Sequence, residues 1–352
     1  MADELSSRVL DRIKEWALRA VITIAGIILI GATAITWLLR DRPPLDTSDW
    51  PPVPIGEPMA SAVTVTWFGV ATLLFDDGET QLLIDGFFSR PSLADIVLGM
   101  PVESDIPQIN YVIDEYRIRR LAAIIPVHSH FDHAMDIGAI ANRSGASILG
   151  SESTASIARG AGVPEDQIID AQTGAEYTFG DFRVTLIDSI HAPIGWGGSI
   201  PIAGTVAAPL ETPAPISAWR AGKSYSIVVA HDQGTTLVQG SAGFLEGALD
   251  AVRADVVLLG VWGLSGLGRD YTEKYWQSLV TATGALRVLP IHFADYSRPF
   301  GEIRLSPRIL DDFAETSTWL NEIRHIWDTN TQLQMPEFGR PILLYPQPVP
   351  EA

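Results

Sequence analysis

The chain has no cysteine in 352 residues. Disulfides and thiolate metal sites are thereby excluded, and His, Asp and Glu remain as the only strong ligands for a metal. Positive charge is also scarce. Against 24 Lys+Arg stand 42 Asp+Glu, a formal net charge of -18. Residues 1–42 hold six basic and five acidic side chains, which leaves 18 against 37 in the remainder. A body with that balance repels phosphate backbones, so no nucleic acid partner is expected. Nor does the sequence show a repeat of fixed period, which excludes solenoids. What is present, 47% hydrophobic and 19% charged residues, is a globular composition long enough for one large or two ordinary domains.

One long apolar run stands out. Ala20 to Leu39 is uncharged throughout and is bounded by Arg19 and Arg40. At 1.5 Å per residue it matches a hydrocarbon core of about 30 Å, and Trp16 and Trp37 lie near its ends, where indole rings favour the water–lipid boundary. A buried core helix is one alternative; such helices rarely run so long without a polar face. A cleaved signal peptide is the other, with Ala32-Thr33-Ala34 as its processing site, although Trp37, Leu38 and Leu39 prolong the apolar run beyond it. Arg8, Arg12, Lys14 and Arg19 precede the span, whereas only Arg40 and Arg42 closely follow it. That asymmetry puts the N-terminus in the cytoplasm and the body on the periplasmic or other extracytoplasmic side. The expected organisation is a cytoplasmic segment 1–19, a transmembrane anchor 20–39, a Pro-rich linker 40–62, a folded body 63–346 and a tail 347–352. With six prolines between residues 41 and 62, the linker reads as a stiff spacer that holds the body off the membrane.

In the body, Val63–Trp67, Ala71–Phe75 and Gln81–Ile84 read as a three-stranded meander. Helical spacing follows over 106–119, then a buried strand from Leu121 to Val127. A helix from Met135 to Asn142, a strand around Ile148, a small helix to Arg159 and a strand Phe182–Ile187 complete the first series. The second has strands at Tyr225–Ala230 and Thr235–Val238, a helix near Leu245, a strand Asp255–Leu259 and a helix Tyr271–Thr283. It ends with a strand Arg287–Pro290 and a helix Pro307–Ile323. Two similar halves predict two sheets packed face to face with helices outside, an α/β fold of αββα type preceded by one transmembrane helix.

The chemistry sits where the strand to Val127 ends, in His128-Ser129-His130-Phe131-Asp132-His133. Imidazoles and a carboxylate converging from one loop on rigid supports are what a borderline cation such as Zn²⁺ binds. A polar surface loop is the plain alternative, and with only seven histidines in the chain this spacing rarely arises by chance.

His-x-His-x-Asp-His after an apolar strand resembles the metallo-β-lactamase superfamily, and the order of elements fits over residues 63 to about 346. The resemblance implies a first metal on His128, His130 and His191, and a second on Asp132, His133 and His292. His231 and His325 are left over and read as structural. Asp85, by itself just an Asp closing a strand, resembles the carboxylate that orients a ligand histidine in that superfamily. Thr66 to Thr72, Leu83-Ile84-Asp85 and Phe88-Ser89-Arg90 look like the branch of phosphosugar lactonases and N-acyl-phosphatidylethanolamine phospholipase D, with Val70 where that branch has His and Gly86 where it has Pro.

The superfamily's bridging Gly-Asp is replaced here by Gly240-Ser241. Without that carboxylate the second site lacks an anion to offset the repulsion of two dications, so one Zn²⁺ should bind tightly and a second more weakly, with Mn²⁺ or Fe²⁺ as alternative ions. Asp188 and Asp295 are the acidic residues nearby in sequence that would compensate. The implied reaction is hydrolysis of an ester, lactone, amide or phosphodiester by a metal-activated water, which Asp132 orients, with Tyr296 or Asp295 protonating the leaving group. Pro193–Pro215, with Trp196, reads as a loop over the cleft. Together with Phe87 and Phe88 it would wall a pocket for a small, lipophilic substrate. The competing reading is a non-catalytic metal or ligand-binding module with a degraded dinuclear site.

Overall fold

The computed structural model describes residues 2–45, 50, 53 and 62–345, apart from the side chains of 2–6 and 9–11. Pro51, Pro52, Pro54 and Pro58 of the Pro-rich stretch, and the tail 347–352, lie outside the described residues. A single helix, α1 (Ala2–Arg40), comes first. Its span Arg12–Arg40 is long and apolar enough to cross a membrane, and none of its most apolar window is buried against the body. It is therefore not a core helix.

The first half of the body runs β1 (Thr64–Trp67), β2 (Leu73–Asp76), β3 (Gln81–Ile84), α2 (Leu93–Leu98), β4 (Pro101–Val102) and α3 (Ile106–Glu115). It continues with β5 (Leu121–Ile125), α4 (Phe131–Ala134), α5 (Ile137–Ser144), β6 (Ser147–Gly150), α6 (Glu152–Gly160) and β7 (Ile168–Asp170). The second half begins with β8 (Glu176–Phe179), β9 (Phe182–Ser189), β10 (Ala214–Pro215), β11 (Ser224–His231), β12 (Gly234–Gln239) and β13 (Val256–Gly260). Then come α7 (Leu264–Leu267), α8 (Arg269–Trp276), which continues as a π turn over Gln277–Thr281, β14 (Arg287–Ile291), α9 (Phe313–Trp327), β15 (Gln332–Leu333) and β16 (Pro341–Leu343).

Two seven-stranded sheets result, in the orders β16-β1-β2-β3-β5-β6-β7 and β15-β14-β13-β12-β11-β9-β8. Each joins an antiparallel meander to a parallel set. β3, β5, β6 and β7 pair in parallel in the first sheet, and β12, β13, β14 and β15 in the second. Parallel strands need both faces covered, and β5 (LAAII) and β13 (VVLLG) are apolar runs for that reason. One core fills the space between the sheets, with Phe75, Phe182 and Leu237 in it. A second lies under the outer helices of the first sheet, where Ile109, Val112 and Ile113 of α3 meet Ile124 and Ile140. The arrangement is the αββα sandwich expected from the two halves.

Local departures have local causes. The helical spacing over 106–119 ends at Glu115 because Arg117 takes φ +53°, which breaks the helix. No helix forms near Leu245, where the chain makes turns. α9 starts at Phe313 rather than Pro307, because the Asp312 side chain accepts the Ala314 N–H and caps it there. Of the Pro-rich stretch, Pro43, Trp50 and Val53 are buried against the body rather than extended away from it.

Candidate metal centre

Asp85, His128, His191, Ser241 and His292 follow the carboxyl ends of β3, β5, β9, β12 and β14 within three residues. Open α/β sheets present side chains for a ligand at this end of their strands. Two groups gather there. The ligand atoms of His128, His130 and His191 lie within 4.8 Å of one another, as do those of Asp132, His133 and His292. His128 Nε2 and His130 Nδ1 are 3.0 Å apart. Asp132 Oδ2 is 3.3 Å from His292 Nε2 and 3.5 Å from His133 Nε2. Ligands on one tetrahedral ion with bonds of about 2.0–2.1 Å stand roughly 3.3 Å apart, so the spacing fits such an ion in each group.

The outer ring nitrogens fix which nitrogen keeps its lone pair. His130 Nε2 donates to the Pro201 carbonyl at 3.0 Å, and His191 Nδ1 to the Ala192 carbonyl at 2.8 Å. A carbonyl can only accept, so the other nitrogen of each ring is free to coordinate. His133 Nδ1 lies 2.7 Å from Asp85 Oδ2, while Asp85 Oδ1 accepts the Val127 N–H at 2.8 Å. Nδ1 of both His128 and His292 is buried with no hydrogen-bond partner among the described residues. Three imidazoles in one group, and two imidazoles with one carboxylate in the other, form a donor set suited to borderline divalent cations.

Electrostatics agree with that chemistry at His128, His191 and Asp132, whereas His133 would have to give up a proton on binding a cation. Burial, then the neighbouring imidazoles, press His128 far below the usual histidine range, and burial holds His191 down to about 3. Both rings are neutral, as ligands must be. Burial would raise Asp132, but His133 and His292 outweigh it and keep the carboxylate ionised. Burial would lower His133, and Asp85 and Asp132 reverse the shift.

Backbone strain marks the same end of the sandwich. Asp85 and His292 adopt φ of +60° and +57°, and Val70 adopts +50°, a rare region for a β-branched residue. The Val70 carbonyl accepts the His292 N–H at 2.7 Å and the Trp67 indole N–H at 3.0 Å. Its main chain thus braces a ligand loop.

Ser241 opens on the same cavity as His130, Asp132, His191 and His292, and its hydroxyl accepts the Ala192 N–H at 3.0 Å. Glycines flank it by necessity: a Cβ on Gly243 would sit 2.0 Å from the Ile190 carbonyl, and one on Gly240 would sit 2.6 Å from Val127. Neither expected substitute carboxylate joins the metal groups. Asp188 is exposed and accepts from the Thr173 hydroxyl, and Asp295 is paired with Arg42 at 2.6 Å. Asp295 is committed to that pair rather than to a leaving group.

A cavity of about 220 Å³ lies over the ligands, with Phe131, Ile194, Ile202, Ile216 and Trp262 as its apolar wall and Tyr296 at its side. Ile194, Pro201 and Ile202 come from the Pro193–Pro215 loop, which covers the cleft as its composition implied. Three expected wall residues are elsewhere. Phe87 and Phe88 are fully buried, Phe87 behind Phe131 at 5.8 Å and Phe88 against Phe68, while Trp196 is 98% exposed and does not line the cavity. Trp262, just after β13, takes the aromatic position; its only trace in the sequence is an aromatic residue after a buried strand. Asp136 was also missed. It accepts from the Phe88 N–H, the Ser89 N–H and the Ser89 hydroxyl, tying the loop after β3 to the junction of α4 and α5.

His231 and His325 are outside both groups. His231 lies at the opposite end of the sandwich with Asp77 and Asp181. Its Nδ1 accepts the Gln233 N–H, and its Nε2 lies 3.7 Å from Asp77 Oδ2. His325 Nδ1 bonds the Asn321 carbonyl within α9.

No family model matches the chain. Among curated proteins it is 30% identical over 132 residues to a UPF0173 metal-dependent hydrolase of Anaeromyxobacter sp. (strain K), 36% of this chain and 42% of that protein. The match thus spans less than half the length of that relative. A UPF0173 metal-dependent hydrolase of Myxococcus xanthus (strain DK1622) is 26% identical over 237 residues, 66% of this chain and 71% of the other. Of solved structures, CmlA, a diiron beta-hydroxylase from Streptomyces venezuelae, superposes on 82% of this chain and 55% of its own, at 12% identity and TM-score 0.50. The metallo-beta-lactamase fold protein YhfI from Bacillus subtilis covers 80% of this chain and 98% of its own, at 16% identity and TM-score 0.48.

Proposed function

We propose that this chain, which has the metallo-β-lactamase fold, is a metal-dependent hydrolase held in a membrane by α1. One observation carries the reading: two buried groups of three ligand-type side chains, side by side at the carboxyl ends of the strands and open to one cavity. His128, His130 and His191 would hold the tight ion, and Asp132, His133 and His292 the weaker one. Zn²⁺ suits the nitrogen-rich donor set, and Mn²⁺ or Fe²⁺ are the alternatives. When bound, such ions lower the pKa of a water and act as Lewis acids toward the scissile group.

The remaining work falls to the chain. Asp132, kept ionised by His133 and His292, accepts a hydrogen bond from the attacking water and orients it. Burial first, then Asp132 and Asp295, hold the Tyr296 phenol well above its ordinary range, so it stays protonated at neutral pH. It borders the cavity and would donate to the leaving atom. Phe131, Ile194, Ile202 and Trp262 exclude water and favour an apolar substituent, which supports a small, lipophilic ester, lactone, amide or phosphodiester. Ser241 in place of a bridging carboxylate favours a second reading, a metal-binding module without turnover. The two part on one experiment. Full-length protein in detergent, loaded with Zn²⁺ or Mn²⁺, is tested on aryl esters, lactones and bis-aryl phosphodiesters. Turnover that chelation removes and metal restores is expected on at least one class. Tight metal binding with no turnover on any class would favour the module.

A further inference from the structure

The end of α1 is fastened directly to the body. Asp41 continues the helix through its N–H to the Trp37 carbonyl, and the Asp41 carbonyl accepts the Arg308 N–H at 2.9 Å. Arg42 Nη1 lies 2.6 Å from both the Leu305 carbonyl and Asp295 Oδ2, and Pro43 is buried. From Leu39, the last apolar residue of the span, to Arg42 is three residues, at most about 11 Å of extended chain. The polar layer on each side of a bilayer is roughly 5–8 Å thick. The surface that grips Arg42 therefore lies at the headgroups and has no spacer to lift it away.

That surface is apolar where it is not ion-paired. Leu93 and Leu310 line the shallow cleft that contains Arg42 and Asp295. α2, which Leu93 opens, buries no residue at all and exposes Val97 and Leu98, both 71%; Met100 follows it, and Ile309 and Leu310 are exposed next to Arg308. The ion pairs there are Arg42 with Asp295, Arg308 with Asp41 and Asp312, and Arg298 and Arg304 with Glu302, while Asp95 of α2 accepts from the Ser92 N–H and hydroxyl. In a chain of net charge -18, an apolar face with one acidic side chain beyond its ion pairs suits a lipid surface.

We propose that α2 and the turn 307–310 form a membrane-apposed face that rests in the interfacial layer of the bilayer crossed by α1. The proposal rests on the reading of α1 as a membrane span. It also deepens the proposed function, because Trp262 and Tyr296 line both the Arg42 cleft and the metal cavity. One layer of side chains separates the candidate metal centre from the lipid, and the substrate class is an amphiphile taken from the bilayer rather than from bulk water.

Because the chain has no cysteine, single labels report cleanly. Full-length Val97→Cys, Ile309→Cys, Ile28→Cys and Asp232→Cys proteins carry a nitroxide in phosphatidylcholine vesicles, and collisions with oxygen and with a water-soluble nickel chelate are measured. Ile28 reports the span, and Asp232, in the β11–β12 turn, reports the far end of the sandwich. Labels at 97 and 309 are expected to collide with oxygen several-fold more, and with nickel several-fold less, than the label at 232. If 28 reads as bilayer while 97 and 309 match 232, the membrane-apposed face is overturned and the span stands. If 28 itself reads as water, the span fails and the face falls with it.

Discussion

Asp85 carries two hydrogen bonds on one carboxylate, from the Val127 N–H and from His133 Nδ1, and so joins a strand end to a candidate ligand. In Asp85→Asn the amide keeps one acceptor but presents an N–H₂ where His133 needs one, so the ring loses the bond that fixes its tautomer. Removing such a partner costs roughly 10–100-fold in metal affinity. Competition with a chelator is expected to show that loss for the weaker ion while the tight ion is retained; equal affinity for both ions in variant and wild type would sink the assignment. Ser241 makes the converse case. An Asp there would add an anion beside both groups, and Ser241→Asp is expected to raise metal content after dialysis from about one ion per chain toward two. Two tightly held ions in the wild type would refute the weak-site argument. The candidate ligands had a physical handle in the sequence: the motif spacing sets four of them between the end of β5 and α4, and strand ends supply the others. Asp136 and Trp262 had no such handle, because their partners come from residues 44 to 48 positions away, as Asp136 to Phe88 and Trp262 to Ser306 show.

Elements with one strong period were legible, and those set by turns or pairing were not. β3 begins and ends where its apolar run does, and α3 follows its buried stripe until Arg117 breaks it. β7, β8 and β16 are three or four residues each and hold their place through neighbours, which leaves little pattern to read. The start of α9 was displaced by side-chain chemistry, and Asp311 is part of it. Its Oδ1 accepts the Gly263 N–H at 3.0 Å and the Ser265 hydroxyl at 2.9 Å, linking α7 to the approach of α9, while Oδ2 is buried without a partner. Burial raises this carboxyl from 3.8 to about 6. The folded protein then binds the proton more tightly than the unfolded chain between pH 4 and 6, so stability falls as pH rises through that window and stays lower above it. At about 1.4 kcal/mol per pH unit the loss is on the order of 3 kcal/mol. Asp311→Asn keeps the Oδ1 acceptor and removes the titration. Unfolding of both proteins from pH 4 to 7 is expected to show a wild-type decline that the variant lacks, and parallel curves would mean that Asp311 ionises freely.

For the whole molecule, the proposed anchor has one consequence for what stays on the mature chain and another for the side on which the sandwich lies. α1 is exposed along its apolar length, and a free surface of that size is unstable in water, so lipid is the natural surround for it. A processed signal segment would satisfy the same exposure, and the two differ in what remains on the mature chain. An anchor leaves Ala20–Leu39 in place, and full-length protein is then expected to resist carbonate and high-salt washing. A mature chain that begins at Ile35 would instead show cleavage after Ala34. The proposed sidedness rests on the four basic residues before the span and the two close after it. The acidic body does not alter that count, since only Lys and Arg near the span weigh in the rule. Protease added to spheroplasts is therefore expected to digest the body while leaving a membrane-protected N-terminal fragment. A body protected until the membrane is lysed would reverse the topology, and it would place the metal cavity and its apolar face on the cytoplasmic leaflet.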